Sequence, residues 1–93
     1  MAITERLAAK ILREFGSDAE TVCSMLGDSE VRIFGPGGVS ERILAAVIIV
    51  SGGDVDRFLQ ALRLMEVDWR DLLWDADLEG DDWLERVDAY CRS

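Results

Sequence analysis

Apolar residues recur at helical spacing from the start of the chain, and the breaks between runs fall on residues that start or stop helices. Thr4 is a good N-cap for a run carrying Leu7, Ala8, Ile11, Leu12 and Phe15 on one face, and Gly16 supplies the left-handed residue that ends it. Ser17 with Glu20 three residues on has the form of a capping box. Ala19, Val22, Cys23 and Leu26 then make a single stripe, with Gly27 as its stop. At residues 30–34, EVRIF, β-leaning residues in weak alternation predict a short extended segment, and Gly35-Pro36-Gly37-Gly38 predicts a turn or loop.

Ser40 caps the next run, ERILAAVIIVS, which is apolar on every side from Ile43 onward and therefore belongs in the middle of a bundle. Its β-branched stretch Val47-Ile48-Ile49-Val50 would also suit a buried strand. A helix is the better reading, because Ser40 and Gly52-Gly53 punctuate it as one and only the segment at 30–34 is there to pair with it. Ile43, Leu44, Val47 and Ile48 should be among the most buried residues; on the surface they would have to form a dimer interface.

Residues 51–78 organise the rest, since they hold two helix signals joined by an acidic cap. Asp54 caps a helix with Val55, Phe58, Leu59, Leu62 and Met65 on its buried face. Asp68 caps another, with Asp71 in its first turn, Val67 placed to staple onto Leu72, and Trp69, Leu72, Leu73 and Ala76 on the inner side. An acidic loop, residues 75–82, leads to a last helix. There Asp82 and Glu85 form a capping pair, and Trp83, Leu84, Val87, Tyr90 and Cys91 face inward. The pattern predicts an all-α fold, a compact bundle of five or six short helices in one domain, residues 1–93.

Charge changes the picture in the second half. The chain of 93 residues has a formal net charge of −9, and residues 54–88 carry 12 acids against 4 bases. Such a surface repels phosphate backbones and anionic lipid and attracts basic proteins. The longest apolar run is far shorter than the roughly 20 residues that span a bilayer. With only Cys23 and Cys91, both expected as buried free thiols, and an N-terminus that reads as an amphipathic helix rather than an export signal, the expected location is the cytoplasm.

Residues 42–78 carry RILAAV, GGDVDRF and DWRDLL in that order. In this they resemble a group of small uncharacterised bacterial all-helical proteins with an arginine-led apolar helix, a Gly-Gly-Asp corner and an Asp-Trp/Tyr-Arg-Asp segment. The resemblance implies a recurring bacterial helical domain and brings no activity, cofactor or catalytic residue with it.

Candidate chemistry is sparse. Asp75, Asp77, Glu79, Gly80 and Asp81 follow the first seven positions of an EF-hand calcium loop, but Asp82 stands where an apolar residue belongs and Arg86 where the bidentate carboxylate is required. Calcium binding no better than millimolar is the expectation. The GPGGVSER segment, residues 35–42, leads into a helix N-terminus that could cradle an anion, yet it lacks a Lys and the Walker spacing. The chain has no His, the commonest general base, and its exposed carboxylate pairs have no reason to shift into a catalytic range, so an enzyme is not expected and no cofactor or metal is assigned.

What remains is a recognition surface. Five residues advance about 500° round a helix, so Trp74 points about 140° away from Trp69. Arg70, Trp74 and Leu78 at i, i+4 and i+8 form a stripe of the types found at binding hot spots, with Asp71, Asp75 and Asp77 as an electrostatic rim. The alternative is that Trp74 packs over the last helix against Trp83 or Tyr90. The sequence thus points to a non-enzymatic protein-protein interaction or regulatory domain whose acidic half meets a protein partner, polar or basic; a homodimer is compatible with it. Two other readings stay open: an acidic inhibitor, immunity-type protein or nucleic-acid mimic, and a weak calcium-binding module.

Overall fold

A computed structural model describes residues 3–35 and 40–93. The first helix, α1 (Glu5–Phe15), starts where Thr4 Oγ1 accepts the Leu7 amide at 3.3 Å and stops at Gly16, whose φ of 55° few other residues tolerate. Its inner stripe is narrower than the pattern predicts. Leu7, Ile11 and Phe15 are buried, but Leu12, one residue round from Ile11, is 62% exposed, and the opposite flank is taken by the buried stem of Lys10.

A 3-10 turn at Gly16–Asp18 leads into α2 (Ala19–Phe34), and here two expectations fail. Ser17 and Glu20 do not form a capping box: the residue before the helix is Asp18, without a side-chain cap bond. Gly27 does not stop the helix, and the segment expected to be extended, residues 30–34, is helical to its end at Gly35. The physical reason is the continued 3–4 spacing of Val22, Leu26, Ser29, Glu30 and Ile33, whose burial or partial burial outweighs the β leaning of Val31 and Ile33. Two of the helices, α2 with 16 residues and α4 with 21, are therefore longer than the short helices expected. No strand occurs among the described residues. Most of the expected Gly-Pro-Gly-Gly turn and the candidate anion cradle lie outside the described residues.

The hub is α3 (Glu41–Ser51), where Ile43 through Ile48 are all buried, as an element without a polar face requires. Ser40 precedes it with extended backbone but makes no side-chain cap bond. At its far end Ser51 Oγ donates to Val47 O at 2.5 Å, Gly52 is left-handed, and Gly53 packs so closely on α1 that a Cβ there would sit 2.9 Å from Glu14 O.

The next helix, α4 (Val55–Asp75), begins at Asp54, whose Oδ1 accepts the Arg57 amide at 3.2 Å. It has an elbow at Asp68, where φ −156° and ψ 89° leave the helical region and Oδ1 accepts the amides of Arg70 (3.1 Å) and Asp71 (3.4 Å). The acidic joint is thus where the sequence puts it, dividing α4 into a first arm, 55–67, and a second, 69–75. Phe58, Ala61, Leu62 and Met65 of the first arm and Leu72 and Leu73 of the second are buried. Val55, Leu59 and Trp69 are only partly covered, and Val67, 76% exposed, makes no staple to Leu72.

The last helix, α5 (Trp83–Arg92), turns Val87 and Cys91 inward and leaves Leu84 outside; the carboxylate of Asp82 takes Arg86 Nε rather than a backbone amide. The ring of Phe15 meets that of Phe58 edge to face at 5.9 Å, joining α1 to α4 in the core. No helix of the described residues is long and apolar enough to cross a membrane.

Candidate interaction surface

The second arm of α4 is closed by a Schellman motif, which decides what the surface carries. The Leu78 amide reaches back to Leu73 O at 2.8 Å and the Asp77 amide to Trp74 O at 3.1 Å, while Asp77 takes the left-handed φ of 60°. In this motif the residue after the left-handed one packs against the last turn, and Leu78 is accordingly buried beside Leu73. The expected stripe of Arg70, Trp74 and Leu78 therefore does not form. It assumed a helix that continued to position 78, whereas α4 ends at Asp75. Leu78 is further fixed by Arg42, whose Nε donates to its carbonyl at 2.7 Å while the guanidinium lies 5.8 Å from the centre of the Trp83 ring.

Trp74 is 71% exposed, the most exposed of the aromatic residues, and packing over the last helix does not hide it. Arg70 lies over Trp69 at 5.3 Å, turned to that ring rather than to a carboxylate. Asp71 and Asp75 are exposed and form none of the ion pairs among the described residues. Asp77 is different: its Oδ2 holds Arg86 Nη1 at 2.6 Å, and Asp82 Oδ2 holds Arg86 Nε at 2.8 Å. The residue in the twelfth position of the EF-hand-like stretch thus brings a guanidinium onto Asp77, one of the carboxylates a cation would need, and onto Asp82 beside it. Among the described residues no group of three or more His, Cys, Asp or Glu is arranged to hold a metal ion.

The elbow also creates a groove that the one-stripe reading of α4 missed. It has a volume of about 300 Å³ and is lined by Val50 of α3, by Arg57, Gln60, Ala61 and Leu64 of the first arm, and by Asp75 of the second. A neighbouring depression of about 310 Å³ continues past Arg63 to Val67. The available signal was Leu64 and Val67, two apolar residues three apart on an otherwise polar face.

On the opposite side, α1, α3 and α5 share a half-buried polar cluster. Arg6 donates to both Glu41 oxygens at 2.5 and 2.9 Å and to Asp88 at 3.3 Å, and Thr4 Oγ1 also donates to Glu41. The hydrogen bonds from Arg6 hold the Glu41 carboxyl below the ordinary carboxylate range despite its burial, and raise the Arg6 guanidinium in turn. Lys10 Nζ reaches Ser93 O and Oγ, both at 3.0 Å, and lies 4.8 Å over the Tyr90 ring; Arg13 donates to Cys91 O. Cys23 and Cys91 are unpaired, Cys91 buried and Cys23 half-buried, and burial pushes both thiols up. Tyr90 is pushed up too, by burial and then by the charge of Glu14. These shifts all move side chains away from titration near neutral pH, the reverse of what acid-base or thiolate chemistry needs.

No protein-family model, no curated protein and no solved structure matches this chain.

Proposed function

We propose that this chain is a non-enzymatic, cytoplasmic protein-interaction domain of a regulatory kind, and that Trp74 is the centre of its binding surface. One observation carries the reading: a Trp 71% exposed in a small fold that packs most of its other aromatic residues at least partly. A large aromatic has only two side-chain torsions to fix and so loses little entropy when a partner covers it, and such residues dominate binding energy. Asp71 and Asp75 flank it in sequence without internal partners, so a partner with basic or polar groups at its rim fits best. The direction of the pKa shifts supports a non-catalytic role, and the two free thiols support a reducing compartment.

The acidic-mimic reading would need a broad run of available carboxylates, but Asp77 and Asp82 are occupied by Arg86. The test is affinity capture at several salt concentrations with the wild-type chain, Trp74→Ala and, as a control, Leu12→Ala. A partner kept by wild type and control and lost by Trp74→Ala, with shallow salt dependence, is the expected result. Equal retention by Trp74→Ala would end the proposal, and steep loss with salt would favour the mimic.

A further inference from the structure

The elbow of α4 places a knob beside a hole. The knob is Trp74; the hole is the groove of about 300 Å³ whose rim includes Asp75, the next residue in the chain. Its volume is ample for one indole, and its floor of Val50, Ala61 and Leu64 is apolar. One basic residue, Arg57, lines it and a second, Arg63, lines the adjoining depression, and neither takes part in an ion pair among the described residues.

We propose that this face is the interface of a two-fold homodimer in which Trp74 of each copy enters the α4 elbow groove of the other. A two-fold interface must be complementary to itself, so knob and hole must both lie on each copy. The charges satisfy the same condition. An entering Trp74 brings its neighbours Asp71 and Asp75 with it, and it meets Arg57 in the groove and Arg63 in the adjoining depression, so each of the two equivalent contacts sets two carboxylates against two guanidinium groups, with the groove's own Asp75 as the one like charge. Local pairing of this kind is needed, because each copy carries a net charge of −9 and long-range repulsion opposes association. The inference rests on the reading of Trp74 as an interface residue and names the occupant of its surface.

Sedimentation equilibrium over a range of protein concentrations at physiological ionic strength tests it. The wild-type chain should show a concentration-dependent dimer. Trp74→Ala should weaken it at least about thirtyfold, with a circular dichroism melt unchanged at concentrations low enough for both chains to be monomeric. Arg57→Asp with Arg63→Asp should be monomeric alone, as should Asp71→Arg with Asp75→Arg. An equimolar mixture of the two double variants should restore a dimer, because every pairing is then again of opposite sign. A wild-type chain monomeric at every concentration overturns the proposal, and so does a dimer indifferent to these substitutions. If a monomeric wild type still captures another protein that Trp74→Ala loses, the dimer is wrong and the interaction reading survives.

Discussion

Helix α3 and the second arm of α4 are built to a similar recipe and end up with opposite exposures. Each starts at a small polar residue, Ser40 or Asp68, carries apolar residues through its middle, and is followed by a left-handed residue, Gly52 or Asp77. Yet α3 hides every residue from Ile43 to Ile48, while the second arm displays Trp74. Their charges separate them in the same way. Glu41 at the start of α3 is gripped by Arg6 and Thr4, whereas Asp71 and Asp75 of the second arm are left to solvent. A polar group on an enclosed element must be tied down when the fold forms, and one on an outer element is free for another molecule.

The largest effect that tests this contrast comes from a charge at the hub. Val47→Asp should unfold the domain, since an unpaired carboxylate in a dry core costs several kcal/mol against a total stability of about 5–10 kcal/mol. Chemical denaturation reads it directly; a folded Val47→Asp protein would mean α3 has a wet side.

Acid should separate the two elements next. Because Arg6 lowers the Glu41 carboxyl in the folded state, its contribution is fully present above the ordinary carboxylate range and is lost as pH falls through the lowered value. Glu41→Gln should therefore lower stability at neutral pH and flatten its decline in acid. A pH series of denaturation midpoints checks this, and an unaltered slope would contradict the grip of Arg6.

Backbone substitutions give smaller effects. Gly27→Ala should stabilise by about 1 kcal/mol, because position 27 is inside α2 and a Cβ there meets nothing within 4 Å. Asp77→Gly should relieve roughly 1 kcal/mol of left-handed strain, less what the lost pair to Arg86 supplied, so the melting temperature should rise slightly. Last comes Trp74→Ala, whose effect on stability should stay within about 0.5 kcal/mol, the range of exposed sites. A much larger loss would return Trp74 to the core.

The sequence made α1, α3 and the Asp68 joint legible because each has local punctuation: a cap, a periodic run and a stop. It misled at Gly27, where punctuation was present but the buried stripe of Leu26, Glu30 and Ile33 ran on through it. Leu78 was misplaced because its helix ends on a left-handed Asp, a signal far weaker than Gly. The exposure of Trp74 was legible only as one of two alternatives, since it depends on where α5 lies. The elbow groove was not legible at all, for it needs Asp75 to come round beside Leu64 across a bend whose angle no spacing encodes.

The bend at Asp68 also divides the molecule in time. A continuous helix transmits protection along its backbone ladder, but here the amides of Arg70 and Asp71 are held by one exposed carboxylate. The second arm is short and buries two side chains, Leu72 and Leu73, against four of the first arm, so it should open at lower cost than the first arm. Native-state hydrogen exchange should accordingly find residues 69–75 opening at a fraction of the free energy that governs residues 43–48. Trp74 would then open with the second arm at a free energy below that of global unfolding.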